Sequence, residues 1–250
     1  MLTSKKTKNY HHTFSKYKHM LKAIDLTKTY GKHQALNRLN LSVEKGEIFC
    51  LLGQNGAGKT TTINLFLGLM APTSGEALVN GITVKPNNNK TTKMIAYIPE
   101  VVQLYGNLSG IENLNFFSRL AGATYTKSEL SDFLSKAGLQ EAAHQKKLSS
   151  YSKGMRQKVG IAIALSKNAE YIFMDEPISG LDPKATQEFT KICKELSNEG
   201  KAIFMATHDI FNAVNVGTQI GIMKEGTLVH TSDTSTINAT ELQNLYLKTI

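Results

Sequence analysis

The spacing of apolar residues divides the chain into strand-like and helix-like segments. Apolar and polar residues alternate from Leu39 to Val43, and an apolar run from Ile48 to Leu52 follows a turn, which is typical of strands. A helical pattern then runs from about Lys59 to Leu69 and stops at the breaker-rich residues 71–75. The part of the chain from Met20 to about Val84 is therefore predicted to be rich in strands.

The middle of the chain has a different pattern. Residues 107–167 read as successive helices, the last of them long, apolar and beginning near Lys158. Strands and helices alternate again after this stretch, with strands predicted at Tyr171 to Met174 and Ala202 to Ala206, and helices from about Pro183 to Asn198 and after Asp209. Because such alternation builds a parallel sheet covered by helices, we expect an α/β domain in which the helical stretch is an insertion.

Composition is ordinary for a soluble globular chain of one large or two small domains, with 250 residues, 41% hydrophobic and 20% charged. The longest apolar runs, such as Ile161 to Leu165, are far shorter than the roughly 20 residues needed to cross a bilayer, so we expect no membrane span. Cys50 and Cys193 lie in apolar strand and helix patterns, which predicts inert thiols rather than a disulfide or a metal site.

Positive charge is concentrated at the start of the chain. The formal net charge is +9, and residues 1–19 hold five lysines and no acid. This segment lacks the continuous apolar stretch of a secretory signal, so it is predicted to be a disordered basic arm that either contacts anionic lipid or is simply solvated. The first orderly pattern opens at Met20, where translation could also start.

A phosphate-binding loop is predicted between the strand Ile48 to Leu52 and the helix after it. Residues 53–60, GQNGAGKT, fit the pattern G-x-x-x-x-G-K-[ST]. Glycines let backbone N–H groups turn toward an anion, and the helix N-terminus adds about half a positive charge. Lys59 would reach the outer phosphates and Thr60 would ligate Mg²⁺. The residues predicted to bind the nucleotide at this loop are Gly53, Gln54, Asn55, Gly56, Ala57, Gly58, Lys59, Thr60 and Thr61.

Two carboxylates follow the predicted strand Tyr171 to Met174, at the edge where open α/β sheets bind ligands. Asp175 is predicted to bind Mg²⁺, directly or through water, and Glu176 to act as general base or to position the attacking water. The guanine-reading sequence NKxD is absent, which favours ATP. Tyr30 is a candidate to stack on the adenine, the alternative being a core or surface tyrosine.

These motifs, together with LSSYSKGMRQ at residues 148–157, resemble the nucleotide-binding domain of an ATP-binding cassette (ABC) transporter. The resemblance covers about residues 20–230, and the motifs recur in the order of the family. It identifies Tyr30 as the aromatic A-loop, Gly53 to Thr60 as the Walker A loop and Tyr171 to Glu176 as the Walker B strand. Residues 179–182, SGLD, match the D-loop.

The resemblance also implies roles and a fold. His208 matches the switch histidine, which would contact the γ-phosphate and hold the water and Glu176 in place. The fold would be that of a P-loop NTPase, with a RecA-like core, an antiparallel β portion and a helical subdomain at about residues 101–167. Residues 231–250 would form a C-terminal tail that serves either packing or regulation.

The family works as a head-to-tail dimer, which explains a second set of small residues at a helix entrance. The signature segment, residues 152–155, would complete an ATP site on another copy of the chain, with Ser152 and Gly154 as donors to the γ-phosphate. Asp182 would order the dimer interface. We therefore expect a homodimer that holds two ATP molecules and Mg²⁺.

The sequence departs from the usual family pattern at three positions. Lys153 stands where the signature LSGGQ has glycine, and Met155 where it has glutamine. Lys153 would either bring a cation to the ATP or be a surface charge with no such role. Glu100, in YIPE at residues 97–100, stands where the Q-loop glutamine is usual, and its carboxylate could also reach the metal.

The function that follows is the ATP-hydrolysing subunit of an ABC transporter on the cytoplasmic face of the cell membrane. A separate transmembrane permease, docked beside Glu100, would carry the substrate, and the YSKGM form resembles exporters of the ABC-2 type.

Two alternatives remain. A soluble ATPase acting on nucleic acid or ribosomes is disfavoured by the single cassette without a long coiled-coil insertion, and a non-transport membrane regulator would have the same catalytic residues.

Overall fold

A computed structural model describes residues 20–86 and 89–250, so the predicted basic arm at residues 1–19 lies outside the described part. The strands are β1 Met20–Tyr30, β2 His33–Glu44, β3 Ile48–Leu52, β4 Ser74–Val79, β5 Ile82–Thr83, β6 Ile95–Ile98, β7 Tyr171–Asp175, β8 Ala202–Thr207, β9 Gln219–Lys224 and β10 Thr227–Asp233. The helices are α1 Lys59–Phe66, α2 Asn89–Thr92, α3 Gly110–Leu120, α4 Lys127–Lys136, α5 Glu141–His144, α6 Lys153–Ser166, α7 Pro183–Asn198, α8 Ile210–Val216 and α9 Ala239–Thr249, with 3₁₀ turns at Leu148–Ser150 and Thr234–Thr236.

The strands form two sheets. One has the order β2-β1-β4-β5 with antiparallel pairing, and the other has the order β10-β9-β3-β8-β7-β6. In the second sheet β9, β3, β8, β7 and β6 run parallel, while β10 pairs with β9 in the antiparallel sense. The carboxyl ends of the parallel strands therefore meet at one edge.

Alternation along β3 separates two hydrophobic cores on opposite faces of the larger sheet. Ile48, Cys50 and Leu52 belong to the core shared with the helical insertion. Phe49 and Leu51 belong to the core shared with the antiparallel sheet and α1. Because successive side chains of a strand point to opposite faces, each parallel strand contributes to both cores, which explains why these strands are apolar throughout.

The helical insertion connects two strands that are neighbours in the sheet. Helices α3 to α6 lie between β6 and β7, which pair in parallel. The first two long helices of this segment begin at capping boxes, in which Ser109 and Thr126 accept from the backbone three residues on and the glutamate there reaches back. The predicted α/β fold with an inserted helical segment is confirmed.

Two helix boundaries differ from the sequence prediction. Helix α6 begins at Lys153 rather than near Lys158, because the Ser152 hydroxyl accepts a hydrogen bond of 3.3 Å from the Met155 N–H and so caps the helix. Helix α1 ends at Phe66 rather than Leu69. Gly68, with φ of 70°, takes the left-handed conformation that stops a helix.

The last part of the chain packs on the same domain. Strand β10 crosses the expected boundary at residue 230, and Leu242 of α9 is fully buried in the core with the insertion. Cys50 and Cys193 are buried free thiols, as predicted. Within residues 20–86 and 89–250, no helix combines the length and the apolar character needed to cross a bilayer.

Candidate functional site

The carboxyl edge of the parallel strands carries a cavity of about 350 Å³, within the range of roughly 300–1,000 Å³ typical of small-ligand sites. Strand β3 leads into the phosphate loop, residues 53–60, while β6 leads to Glu100 and β7 to Glu176. The residues that line the cavity are Tyr30, His33, Ala35, Gln54, Asn55, Gly56, Gly58, Lys59, Thr60, Thr61, Glu100, Asp175 and Glu176.

The backbone of the phosphate loop requires its glycines. Gly58 has φ of 107°, and a Cβ there would lie 2.5 Å from the Ala35 carbonyl oxygen. A Cβ at Gly53 would lie 2.7 Å from the carbonyl oxygen of Met223. Gly53 and Ala57, which were predicted to bind the nucleotide, are not among the residues that line the cavity. Helix α1 starts at Lys59, so its free N–H groups face the cavity and suit an anion.

Lys59 is held inside the loop. Its side chain is 7% exposed, and its Nζ donates to the carbonyl oxygens of Gly53 at 2.6 Å and Gln54 at 3.2 Å. Burial lowers the pKa of Lys59, and the nearby charges of Glu176 and Asp175 oppose that shift. The ammonium is therefore already placed beside the cavity, with neutral carbonyls as partners that a phosphate could replace.

Thr60 and Asp175 form the part of the site that suits a divalent cation. The Thr60 hydroxyl donates to Asp175 Oδ2 at 3.0 Å. Burial raises the pKa of Asp175, the Thr60 hydrogen bond lowers it, and the charges of Glu176 and Glu100 add to the rise.

The donor set fits Mg²⁺ rather than an ion caged by protein. The described residues contain no group of three or more His, Cys, Asp or Glu that could hold a metal. Mg²⁺ typically takes one or two protein oxygens and completes its shell with water and substrate phosphates. Thr60, Asp175 and Glu100, which all line the cavity, offer oxygens of this kind.

Glu176 adopts a backbone conformation that aims its carboxylate into the site. Its φ of 45° lies in the left-handed region, which is uncommon for a residue other than glycine. Its N–H donates to the Ala206 carbonyl at 2.9 Å, which fixes the turn against β8. Backbone strain of this kind clusters at functional sites.

The Glu176 carboxylate has one satisfied and one unsatisfied oxygen. Oε2 lies 2.9 Å from His208 Nδ1 and accepts from the His208 backbone N–H at 3.3 Å. Oε1 is buried without a hydrogen-bond partner and lies 3.8 Å from Lys59 Nζ. A buried carboxylate oxygen without a partner is costly, so this atom is suited to accept a hydrogen bond from water or a ligand.

An aromatic wall closes the other end of the cavity. Tyr30 is 44% exposed, its hydroxyl donates to Met70 Sδ at 2.8 Å, and Lys28 Nζ lies 5.2 Å from the ring centroid. His33 and Ala35 also line this end and were not among the residues predicted from the sequence. Their position just after Tyr30 in the β1–β2 hairpin could have indicated that they lie beside the same ligand.

The signature segment does not line the cavity of its own chain. Ser152 caps α6, while Gly154 is buried where a Cβ would lie 3.2 Å from Ala185 Cβ on α7. Met155 lies with them beside a separate cavity between the two helices. Asp182 of the expected D-loop caps α7 by accepting from the Ala185 N–H at 2.9 Å. The fold thus gathers most of the predicted site residues but leaves residues 152–155 apart.

Known proteins are similar to this chain in sequence. The family model of the ABC transporter matches residues 36–179, which is more than half of the chain. The bacitracin transport ATP-binding protein BcrA of Enterococcus faecalis is 38% identical over 212 residues, covering 84% of this chain and 68% of that protein. The lantibiotic transport ATP-binding protein SrtF of Streptococcus pyogenes is 33% identical over 210 residues, covering 84% of this chain and 89% of that protein.

A solved structure agrees with the fold. The dimeric structure of a post-hydrolysis state of the ATP-binding cassette MJ0796, bound to ADP and Pi, aligns with a TM-score of 0.76 and 29% identity, covering 86% of this chain and 98% of that one. The P-loop NTPase fold is confirmed by this likeness. The chain therefore belongs to the ABC transporter family, in which it is an ATP-binding subunit that hydrolyses ATP.

Proposed function

We propose that two copies of this chain close around two ATP molecules with Mg²⁺, and that Glu176-assisted hydrolysis drives a separate transmembrane permease. The observation that carries the proposal is the Glu176 carboxylate, which is oriented by His208 at 2.9 Å and whose Oε1 has no hydrogen-bond partner and lies 3.8 Å from Lys59 Nζ. A carboxylate with one oxygen anchored and the other without a hydrogen bond can accept a proton from an attacking water.

Four residues that line the cavity have a proposed task in this reaction. Lys59 exchanges the carbonyls of Gly53 and Gln54 for phosphate oxygens and stabilises the charge that develops there. Thr60 and Asp175 would hold Mg²⁺, which would neutralise charge on the phosphate oxygens. Tyr30 offers its exposed ring face to the adenine.

The second copy supplies what the cavity lacks. The cavity of one chain includes no residue of the signature segment, although Ser152 is exposed at the N-terminus of α6 with its hydroxyl near free N–H groups. Such a helix start binds anions. The dimeric cassette with ADP and Pi among the similar structures supports a homodimer in which residues 152–155 face the nucleotide of the partner.

Exposed apolar residues at the start of the helical insertion are the proposed docking site of the permease. They lie between β6 and the end of α3, and they are Val101, Tyr105, Phe116 and Leu120, with exposed fractions from 42% to 73%. Tyr105 and Phe116 pack edge to face with ring centroids 5.1 Å apart, and exposed apolar side chains that cluster are typical of a protein interface. We expect the assembly to lie at the cytoplasmic face of the membrane. Relatives named for the transport of bacitracin and of lantibiotic support a role in transport, which we propose to be export.

Replacement of Glu176 by glutamine tests the proposal most directly. Glu176→Gln keeps the shape of the site but removes the base, so we expect ATP binding to persist, steady-state hydrolysis to fall by about 10²- to 10⁴-fold and an ATP-bound dimer to accumulate. Phosphate release and light scattering measure these outcomes. Glu199→Gln, which changes an exposed glutamate distant in the fold, is the matched control. Unchanged hydrolysis by the Glu176 variant would remove it from the role of base.

A further inference from the structure

Two of the three departures from the usual family motifs touch each other. Glu100 follows β6 and Lys153 opens α6, and they are far apart in the sequence. Lys153 Nζ lies 3.9 Å from Glu100 Oε1, with the two side chains 34% and 52% exposed. A glycine at 153 and a glutamine at 100, which are usual at these positions, could not form this ion pair.

The same turn of α6 also holds the backbone of Glu100. Gln157, one turn after Lys153, is buried, and its Nε2 donates to the carbonyl oxygens of Glu100 at 3.1 Å and Pro99 at 3.4 Å. The start of α6 therefore contacts residue 100 in two ways: buried Gln157 binds its main-chain carbonyl, and the partly exposed Lys153 pairs with its side chain.

Glu100 contacts both the nucleotide cavity and the start of α6. Its side chain lines the nucleotide cavity together with Thr60 and Asp175, and its charge contributes to the raised pKa of Asp175. The Lys153 ammonium, on the other side, also lies 3.8 Å from the place where a Cβ on Gly180 would be, beside the D-loop segment. Lys153 thus stands between the cavity of its own chain and the surface proposed to meet the second copy.

We propose that the Lys153–Glu100 pair is a latch that couples the nucleotide cavity of a chain to the signature segment of the same chain. This inference rests on the proposed function. In the structure the pair is closed, with 3.9 Å between the two charged atoms. When Mg²⁺ and nucleotide enter the cavity, the Glu100 carboxylate is attracted to the cation, and Lys153 is released to the phosphates held by the second copy. Filling one site therefore assists the other.

The latch predicts a specific dependence of nucleotide affinity on both residues. In the Glu176→Gln background, at a dilution where light scattering shows monomer, Lys153→Gln should tighten Mg²⁺–ATP binding by about two- to fivefold, the range expected for an exposed ion pair. In a chain that also carries Glu100→Gln this gain should disappear. A lysine that acted only as a general positive charge would instead weaken binding when removed, whether or not Glu100 were present.

A measurement without Mg²⁺ and a control variant make the test more specific. With ATP and a chelator in place of Mg²⁺, Lys153→Gln should give no gain, because no cation competes for Glu100. Lys136→Gln, which removes a lysine paired with Glu199 at 2.9 Å far from the cavity, should leave the affinity unchanged in every background. Thermal unfolding of each variant checks that the fold is intact.

The outcomes separate the latch from the function on which it rests. If the Glu176→Gln chain binds no ATP, the proposed function fails and the latch with it. If that chain binds ATP, and Lys153→Gln has the same effect with Glu100 and with Gln at that position, the latch is overturned while the function stands. The latch is supported only if the gain from Lys153→Gln requires both Glu100 and Mg²⁺.

Discussion

Asp175 and Glu176 follow one another at the end of β7, yet the fold treats their carboxylates differently. Glu176 is anchored by His208 at 2.9 Å. Asp175 has the Thr60 hydroxyl as its hydrogen-bond donor, and burial raises its pKa. A pKa above the unfolded value means that Asp175 favours folding when protonated. This contribution is lost as pH rises through the raised pKa, so at neutral pH the ionised group destabilises the nucleotide-free chain.

Asp175→Asn should therefore make the nucleotide-free protein more stable while weakening Mg²⁺–ATP binding. The midpoint of thermal unfolding at neutral pH should rise by a few degrees, since about 1 kcal/mol corresponds to about 2–4 °C for a domain of this size. The gain should shrink as the pH is lowered, because the aspartic acid then becomes neutral as well. Asp132→Asn, on the exposed face of α4, should show neither effect. A lower midpoint for the Asp175 variant would contradict the reasoning.

At the scale of elements, helix α6 connects several parts of the site. Its N-terminus is capped by Ser152, its first turns hold Lys153 and Gln157 against Glu100, and Gly154 lets it approach α7 closely. A Cβ at Gly154 would lie 3.2 Å from Ala185 Cβ, an atom that cannot move without its backbone. Gly154 therefore has a packing role in its own chain in addition to the proposed contact with ATP.

Two glycines of α6 provide a matched comparison. Alanine stabilises a helix by about 1 kcal/mol relative to glycine. Gly160→Ala should realise part of this gain, because its Cβ would make an ordinary van der Waals contact of 3.4 Å with a Val102 methyl. Gly154→Ala should be about 1–2 kcal/mol less stable than Gly160→Ala, because overpacking against Ala185 costs about 1–3 kcal/mol. Urea denaturation measures both, and equal stabilities would show that α7 yields without strain.

Much of the fold and of the site was predictable from local sequence. The bounds of β3 and α7 follow from an apolar run after a turn and from Asp182 before Pro183. The predicted start of α6, near Lys158, was wrong because the prediction relied on apolar residues and gave no weight to the Ser152 cap. The left-handed backbone of Glu176 has no signal in a single sequence. Nor does the contact of Lys153 with Glu100, which depends on how α6 packs on β6.

In the whole molecule, one hydrophobic core lies on each face of the larger sheet. The edge of this sheet that carries the nucleotide cavity is therefore packed from both sides. The antiparallel sheet and α1 cover one face, and the helical insertion covers the other. Several apolar side chains of the insertion stay exposed because they pack into neither core. Tyr105 and Phe116 form an edge-to-face pair with centroids 5.1 Å apart, and neither is buried. An aromatic pair held at the surface is available to a partner.

Phe116→Ser should weaken association with the permease by at least about tenfold and leave ATP binding by the isolated chain unchanged, because aromatic side chains at the centre of an interface contribute most of its affinity. Co-purification of the permease with each variant measures the loss. Leu247→Ser removes an apolar side chain that is more exposed than Phe116, from α9, and serves as the control. Equal loss of the permease with both variants would move the docking surface away from the insertion.

The left-handed backbone at Glu176 also sets how this sequence can change over time. Glycine adopts that conformation freely, whereas another residue costs of order 1–3 kcal/mol there. Selection for stability alone would therefore replace the glutamate by glycine, and the chain would gain stability as it lost its carboxylate. Under the proposed role of Glu176 as base, glutamate would be retained at this turn while hydrolysis contributes to fitness, and its replacement by glycine would mark a cassette that binds nucleotide without hydrolysing it.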